Sequence, residues 1–226
     1  MSDLPGPGYL RAVDLGFTAL LAPIWVPLLL LGLAAAALQG SPIFYRANRL
    51  GVGGKVFQML KLRTMVREAD VLGPAVSTGA DSRITPVGRL LRRTKLDELP
   101  QFLHVLSGRM SIVGPRPEAP GYLRYYTPAG LRSLEARPGL TGYGALYFFS
   151  AERNSPSAEF EARYVRELLP TKLALDERCW SDLRSRPIRT TLSVLGLTAS
   201  ALLLRGNARL SPAQLEARFL GEGSAQ

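Results

Sequence analysis

From Leu15 to Leu38 the chain carries no charged residue. At about 1.5 Å per residue, a helix over this stretch is long enough for the roughly 30 Å hydrocarbon core of a bilayer. Arg11, the apolar run and the small residues Ala34 to Ala37 are also the ingredients of a cleaved signal peptide, but the run is too long for one and two prolines interrupt it. Pro23 and Pro27 stand four apart, so they share a helix face and remove the amide donors for the carbonyls of Ala19 and Pro23. Such a helix is expected to kink or to break into two short arms, each too short to span. That pattern suits a re-entrant hairpin that dips into one leaflet; a straight span with its N-terminus outside is the alternative. Flanking charge does not choose between them, because Arg11 lies upstream and Arg46, Arg49 and Lys55 lie downstream.

The rest of the composition narrows the chemistry. The formal net charge is +10, and of 28 cationic residues only Lys55, Lys61, Lys95 and Lys172 are lysines. Arginine is the residue suited to two-pronged contact with phosphate. One histidine (His104) and one cysteine (Cys179) exclude His/Cys zinc clusters, internal disulfides and paired-cysteine redox chemistry. Catalysis, where present, runs on carboxylates, hydroxyls or arginine. Between Ser41 and Pro117 thirteen cations face five acids, a local excess of +8 directly after the apolar segment. Anionic lipid headgroups account for part of such a field. Nucleic acid is not expected, since aromatic residues are not interleaved with the cluster and no reader motif is present.

Along the chain, Ile43 to Arg46 and Val56 to Leu62 flank a glycine-rich turn at Gly51 to Gly54, a hairpin signal. Gly51-Val-Gly-Gly lacks the spacing of a dinucleotide fingerprint and reads as a turn. Turns are expected at Gly73-Pro74 and Thr85-Pro86. From Val87 to Leu106 apolar residues recur near a helical period, with a break expected at Pro100; because Pro100 cannot donate to the Leu96 carbonyl, the helix is expected to kink beside Asp97. Further helix is expected from about Ser157 to Leu169. Thr190 to Leu204 is a second apolar run, too short to span, that suits a core helix or one lying in the interface.

Asp97-Glu98 sits inside the positive field, in RRTKLDELPQ. A carboxylate there is expected to stay ionised with a lowered pKa. Adjacent acids on a helix surface are most often salt-bridge partners. An aspartate can also accept a phosphoryl group covalently, with a metal ion and arginines offsetting the charge of the attacked phosphate. Arg116, held between Pro115 and Pro117 after Gly114, has little backbone freedom and is suited to a phosphate oxygen.

Taken together, these residues resemble the bacterial sugar transferases, the monotopic polyprenyl-phosphate phosphoglycosyltransferases. The resemblance rests on the proline-interrupted apolar segment preceded by Arg11 and Asp14, and on SPIFYRANRLG, KLRTM, TPVGRLLRRTKLDELPQ, MSIVGPRP and RPGLTG, in family order over about residues 9 to 180. It implies an α+β, mainly helical fold. In that fold a re-entrant membrane helix broken at Pro23 and Pro27, a small β-hairpin, and interfacial and amphipathic helices surround a cytoplasmic active site. It implies three regions: residues 1–40 as tail and membrane helix, 41–206 as catalytic domain, 207–226 as a C-terminal tail. The chain resembles the small form, without the extra amino-terminal spans of larger relatives.

The implied reaction has two steps at the cytoplasmic face of the bacterial inner membrane. Asp97 attacks the phosphate next to the sugar of a UDP-sugar and releases UMP; a polyprenyl phosphate, usually undecaprenyl phosphate, then takes the phosphosugar. By the same resemblance Asp97 and Glu98 bind Mg²⁺, with Glu98 assisting proton transfer, while Arg116, Arg92 and Glu161 contact substrate or support the dyad. Membrane lipids are partners, nucleic acid is not, and a homodimer is left open. The chain departs from the family pattern at His104, at Arg109 and over Tyr143 to Ser150, where the family carries a tryptophan, a glutamine and an Asn-Gly pattern; here Arg153-Asn154 comes a few residues late. His104 reads as a helix-face residue or as a titrating group near Asp97. The altered loop suggests the competing possibility of a non-catalytic membrane scaffold that retains the fold.

Overall fold

A computed structural model describes residues 8–72, 81–152, 160–203 and 211–221. The Gly73-Pro74 turn, Arg153-Asn154 and the boundary at residue 206 lie outside the described residues.

The chain opens with α1 (Gly8–Ala37), the one helix among the described residues long and apolar enough to cross a membrane. Its most apolar 18-residue window has a mean hydropathy of 2.2 and is only 17% buried, so it is not the core helix of a soluble domain. The side chains it does bury, Asp14, Thr18, Trp25, Gly32 and Ala36, fall at intervals of four and seven and form one stripe. Along that stripe α1 is fastened to the rest of the chain at both ends. The Asp14 carboxylate accepts from the Ile112 amide at 2.9 Å, and the Arg11 guanidinium donates to the carbonyls of Val105 and Leu106. Trp25 stacks on Phe102, with ring centroids 4.9 Å apart. Just past the helix, Arg63 donates to the carbonyls of Gln39 and Gly40. The opposite faces, with Leu20, Ile24, Leu30 and Leu31, are exposed.

Helical structure runs uninterrupted through Pro23 and Pro27, so the expected break into two arms is not found there. Each proline removes a single donor, so only the carbonyls of Ala19 and Pro23 lose one. The stripe of contacts, with the Trp25 indole donating to the Thr18 carbonyl at 3.0 Å, holds the helix over these gaps.

The expected hairpin is present as β1 (Phe44–Leu50) paired antiparallel with β2 (Val56–Leu62), turning through Gly53 and Gly54 at positive φ. His104 fastens it: the ring Nε2 accepts from the Leu60 amide at 2.9 Å. Burial, helped by the Arg109 charge, pushes its pKa down, so the imidazole is neutral and acts as a structural acceptor.

A short α2 (Ala69–Leu72) precedes α3 (Pro86–Thr94). The helix expected over 87–106 is interrupted beside Asp97, at the expected kink, although the change of direction begins at Lys95 and not at Pro100 itself. Helix α3 stops where Lys95 adopts a left-handed conformation, a 3-10 turn runs over Leu96–Gln101, and α4 (Phe102–Leu106) follows.

Strand β3 (Ser111–Val113) pairs in parallel with β4 (Gly139–Thr141), which brings MSIVGPRP against RPGLTG. The glycines of both motifs are required by this approach: a Cβ on Gly139 would lie 2.2 Å from the Gly114 nitrogen, and one on Gly142 would lie 2.2 Å from the Gly114 carbonyl oxygen. Between the strands runs α5 (Pro128–Ser133), and after them come α6 (Tyr143–Glu152), α7 (Phe160–Arg163), a π-helical turn over Tyr164–Leu168, α8 (Leu169–Ser185), α9 (Pro187–Leu203) and α10 (Pro212–Leu220). Helix α8 is the hub of the core, burying Leu169, Leu173, Leu175, Cys179 and Trp180. Helix α9 buries Thr190, Thr191 and Val194 against the body and leaves Ile188 and Leu192 exposed, so one face of its apolar run belongs to the core. Much of the departure over Tyr143 to Ser150 is absorbed by packing: Tyr143 stacks on Phe219 of α10, and Phe148 meets Tyr164 edge-on.

The tightest contact of backbone on backbone is at Gly88, where a Cβ would lie 1.9 Å from the Thr64 carbonyl oxygen. Gly88→Ala must therefore push α3 off the segment that follows β2, at a cost of at least about 2 kcal/mol. Gly121→Ala, where a Cβ meets nothing within 4 Å, is the neutral control. Thermal unfolding of both variants in detergent checks this: a large loss is expected for the first and little change for the second.

Candidate active site

The left-handed Lys95 is the local device that makes the site. A non-glycine residue at φ 60° ends α3 and starts the chain in a new direction. In the 3-10 turn that follows, successive side chains diverge by about 120°. Asp97 and Glu98 therefore point to different surroundings. Asp97 is 6% exposed, and its Oδ1 is buried with no hydrogen-bond partner among the described residues. The Glu98 Oε1 accepts from Lys61 Nζ of β2 at 2.9 Å and from the Arg116 guanidinium at 3.1 Å.

The electrostatics reverse the expectation for Asp97. Burial, reinforced by the neighbouring Glu98 charge, raises its pKa above the ordinary aspartate value; Lys61, Lys95 and Arg92 pull the other way and do not prevail. Glu98 is also buried, but Lys61 and Arg116 hold it well below the ordinary range. Lys61 in turn is lowered by burial, though Glu98 opposes that. Lys61 and Arg116 are spent on Glu98, which leaves Asp97 buried with a bare oxygen.

Arg116 is held from behind. Its amide donates to Asp176 Oδ1 at 3.3 Å, and its carbonyl accepts from Lys172 Nζ at 3.3 Å. Lys172, on α8 and 1% exposed, also pairs with Asp176 at 2.7 Å and with Glu118 at 2.9 Å; Tyr164 donates to Glu118 at 2.6 Å. Burial works against the Lys172 charge, but Asp176 and Glu118 together raise its pKa above the usual lysine value. A Cβ on Gly144 would lie 2.4 Å from Asp176 Oδ1, so glycine there leaves room for this carboxylate.

Of the residues expected from sequence, Asp97, Glu98 and Arg116 come together directly. Arg92 donates to Thr64 Oγ1 at 2.8 Å and acts on Asp97 through its charge. Glu161, on α7, accepts from Tyr122 at 3.2 Å and is not in the dyad's hydrogen-bond network. Sequence reasoning counted Lys61 only as part of the basic field and did not single out Lys172, Asp176, Glu118 or Tyr164. The available signal was Lys172 and Asp176 at i,i+4, at the two ends of the otherwise apolar KLALD turn of α8, a spacing that pairs opposite charges on one helix face. Among the described residues no group of three or more His, Cys, Asp or Glu side chains could form a metal cage. One or two carboxylates with phosphate oxygens and water are, however, the ordinary ligand set of Mg²⁺, and the bare Asp97 Oδ1 beside Glu98 fits that set.

The sequence profile of the bacterial sugar transferases matches residues 8–178, and the chain belongs to that family. It is 46% identical over 136 residues to the UDP-glucose:undecaprenyl-phosphate glucose-1-phosphate transferase of Caulobacter vibrioides, covering 58% of this chain and 51% of that protein. It is 36% identical over 167 residues to the Escherichia coli protein of the same name, covering 70% of this chain and 36% of that one. It is 33% identical over 172 residues to the exopolysaccharide production protein ExoY of Rhizobium meliloti, covering 69% and 76%. The matched stretch thus spans about half or less of the two glucose-1-phosphate transferases.

Opposite stability effects are expected from the two acids. Asp97→Asn removes a buried charge and raises the melting temperature at pH 7, by roughly 2–4 °C per kcal/mol for a chain of this size. A carboxylate with a raised folded pKa is penalised fully above that pKa and not at all below the unfolded value, so this gain shrinks on acidification. Glu98→Gln leaves Lys61 and Arg116 without their counter-charge and costs about 1–3 kcal/mol at neutral pH. That contribution is present above the ordinary glutamate pKa and is lost as pH falls through the lowered folded value. Thermal melts of both variants across pH check the pair.

Proposed function

We propose that the chain is a phosphoglycosyltransferase that moves a phosphosugar from a UDP-sugar to a polyprenyl phosphate at the cytoplasmic face of the bacterial inner membrane, as the first membrane step of a polysaccharide or glycan pathway. The observation that carries this is the unequal state of the dyad: Glu98 neutralised by two cations, Asp97 desolvated with an unpartnered oxygen. A nucleophile needs a free lone pair and little solvent to shed.

In the first step an Asp97 oxygen attacks the phosphorus next to the sugar, the bond to the bridging oxygen breaks, and UMP leaves with that electron pair. In the second, a polyprenyl phosphate oxygen attacks the same phosphorus and releases Asp97 as a carboxylate. The products are UMP and a polyprenyl diphosphate sugar, so atoms and charge balance. Arg116, its backbone held on both sides, steadies a phosphate oxygen, and Arg92 adds positive potential at Asp97. Glu98, kept ionised by Lys61 and Arg116, orients both cations beside the attacked phosphate. Asp97 and Glu98 would hold Mg²⁺, which supplies charge neutralisation at the attacked phosphate. Glu161 would act at the substrate side through Tyr122.

The membrane reading is a re-entrant α1. It is supported by the ties that fasten Arg11 and Asp14 at one end, and Gln39 and Gly40 at the other, to the same body. A straight span would carry Arg11 and Asp14 to the far side of the bilayer. Exposed Leu90, Leu103, Leu106, Ile188 and Leu192 on α3, α4 and α9 suit contact with the same leaflet. Cysteine labelling at Ser2 and at Gln226 is expected to report one side, and opposite sides would overturn the re-entrant reading.

The transferase is tested by UMP release across a panel of UDP-sugars with polyprenyl phosphate and Mg²⁺. Wild type is expected to turn over and to carry label from the sugar on the protein; Asp97→Asn should lose both, by a factor of at least about 1,000. Normal release by that variant would overturn the assignment, and no turnover by wild type with any donor would favour the scaffold. Chelation should stop turnover and added Mg²⁺ restore it. Because the nucleophile is the ionised carboxylate, kcat/KM should rise with pH on a limb placed above the ordinary aspartate range.

A further inference from the structure

We propose that Arg49 is a second phosphate-binding arginine of this site, gripping a phosphate oxygen of an incoming substrate beside Arg116; the inference rests on the transferase reading and names a residue for it. The strand register supplies the first argument. In β1–β2, Tyr45 is paired with Lys61, Ala47 with Met59 and Arg49 with Phe57. Directly paired residues of an antiparallel ladder point to the same side, and so do residues two apart along a strand. Arg49 therefore projects from the hairpin face that presents Lys61 to Glu98 and buries Ala47 and Met59 in the core.

The second argument is the tie at the end of the strand. The Leu50 amide donates to the Glu118 carbonyl at 2.8 Å, which sets Arg49 against the loop that carries Arg116. Glu118, Arg116, Tyr45 and Glu98 are the charged and titratable groups that Arg49 feels there.

The third is that this cation has no dedicated counter-charge. Among the described residues Arg49 forms no ion pair within 4 Å, and its guanidinium donates only to the neighbouring Asn48 carbonyl, at 3.2 Å. Glu98 is taken by Lys61 and Arg116, and Glu118 by Lys172 and Tyr164. Arg63, by contrast, spends its guanidinium on the carbonyls of Gln39, Gly40 and Ser41. A partly buried guanidinium with four unused donors, next to another arginine, is stabilised by an anion with several acceptor oxygens. Phosphate has that chemistry, and both substrates carry it.

The test compares Arg49→Ala, Arg49→Lys and Arg46→Ala, the last making the same charge change on the opposite face of β1. Separate titrations of UDP-sugar and of polyprenyl phosphate give the two KM values, and binding of UDP and of inorganic pyrophosphate is measured without turnover. Arg49→Ala is expected to raise one KM at least roughly tenfold, with kcat changed far less and the melting temperature kept. Arg49→Lys should recover part of the loss, and Arg46→Ala should stay near wild type. The KM that rises tells whether the phosphate belongs to the nucleotide sugar or to the lipid. Unchanged values of both KM and of pyrophosphate affinity in Arg49→Ala overturn the inference, as does an equal loss in Arg46→Ala or a loss that only follows the melting temperature. If wild type turns over no donor, the transferase reading falls, and the pyrophosphate comparison still decides whether Arg49 binds an anion.

Discussion

The arrangement of the site depends on one buried ammonium. Lys172 is 1% exposed, and removing such a charge from water costs several kcal/mol unless partners surround it. Asp176 and Glu118 do so, and the same nitrogen reaches the Arg116 carbonyl. Helix α8, the hub of the core, is thereby joined to the proline-bounded loop. Because Asp176 also accepts from the Arg116 amide, the loop is gripped on both sides of one residue. Arg116 then reaches forward to Glu98 with its position set. The glycine contacts between residues 114, 139 and 142 serve the same end, since without them the β3–β4 pair could not draw the loop this close.

From that fixed loop follows the unequal dyad. Two adjacent acids in a positive field would be expected to behave alike, both lowered. What separates them is the geometry of the 3-10 turn, which aims Glu98 at Lys61 and Arg116 and turns Asp97 inward. The left-handed Lys95 is what allows this: had α3 continued, the two residues would have stood on the surface of a regular helix, where acid pairs are ordinarily solvated. A local strain of about 1–2 kcal/mol in a sparsely populated backbone region is offset by contacts made further along the turn.

How much of this was legible in sequence follows the range of the interactions involved. The hairpin was readable because alternation and a glycine turn are local signals, and the dyad with Arg116 was readable because each stands in a short motif. The end of α3 was half readable: the donor that Pro100 lacks placed a kink beside Asp97, but nothing local marks Lys95 for a left-handed backbone. The sign of the Asp97 shift was missed because counting charges along the chain says nothing about burial, and burial is the larger influence. Lys172, Asp176 and Glu118 were missed because their meaning lies in contacts across more than fifty residues. For α1 the prolines were read correctly as lost donors, but the stripe that holds the helix on the body is a tertiary property.

The arginine content looks different once the guanidinium groups are placed. Twenty-four arginines suggested a chain built throughout for phosphate. Several are instead committed to backbone carbonyls: Arg11 at Val105 and Leu106, Arg63 at residues 39 to 41, Arg83 at Ala69. The Val105 and Leu106 carbonyls close α4, where carbonyls lack an intrahelical partner, and those of residues 39 to 41 lie just past the end of α1. A guanidinium satisfies two or three of them at once and stays charged at any working pH, which suits an apolar helix that must be fastened where little water is available. Net charge is a poor guide to a site of this kind, because a count along the chain does not separate the arginines tied to backbone carbonyls from those, such as Arg92 and Arg116, that stand around the dyad.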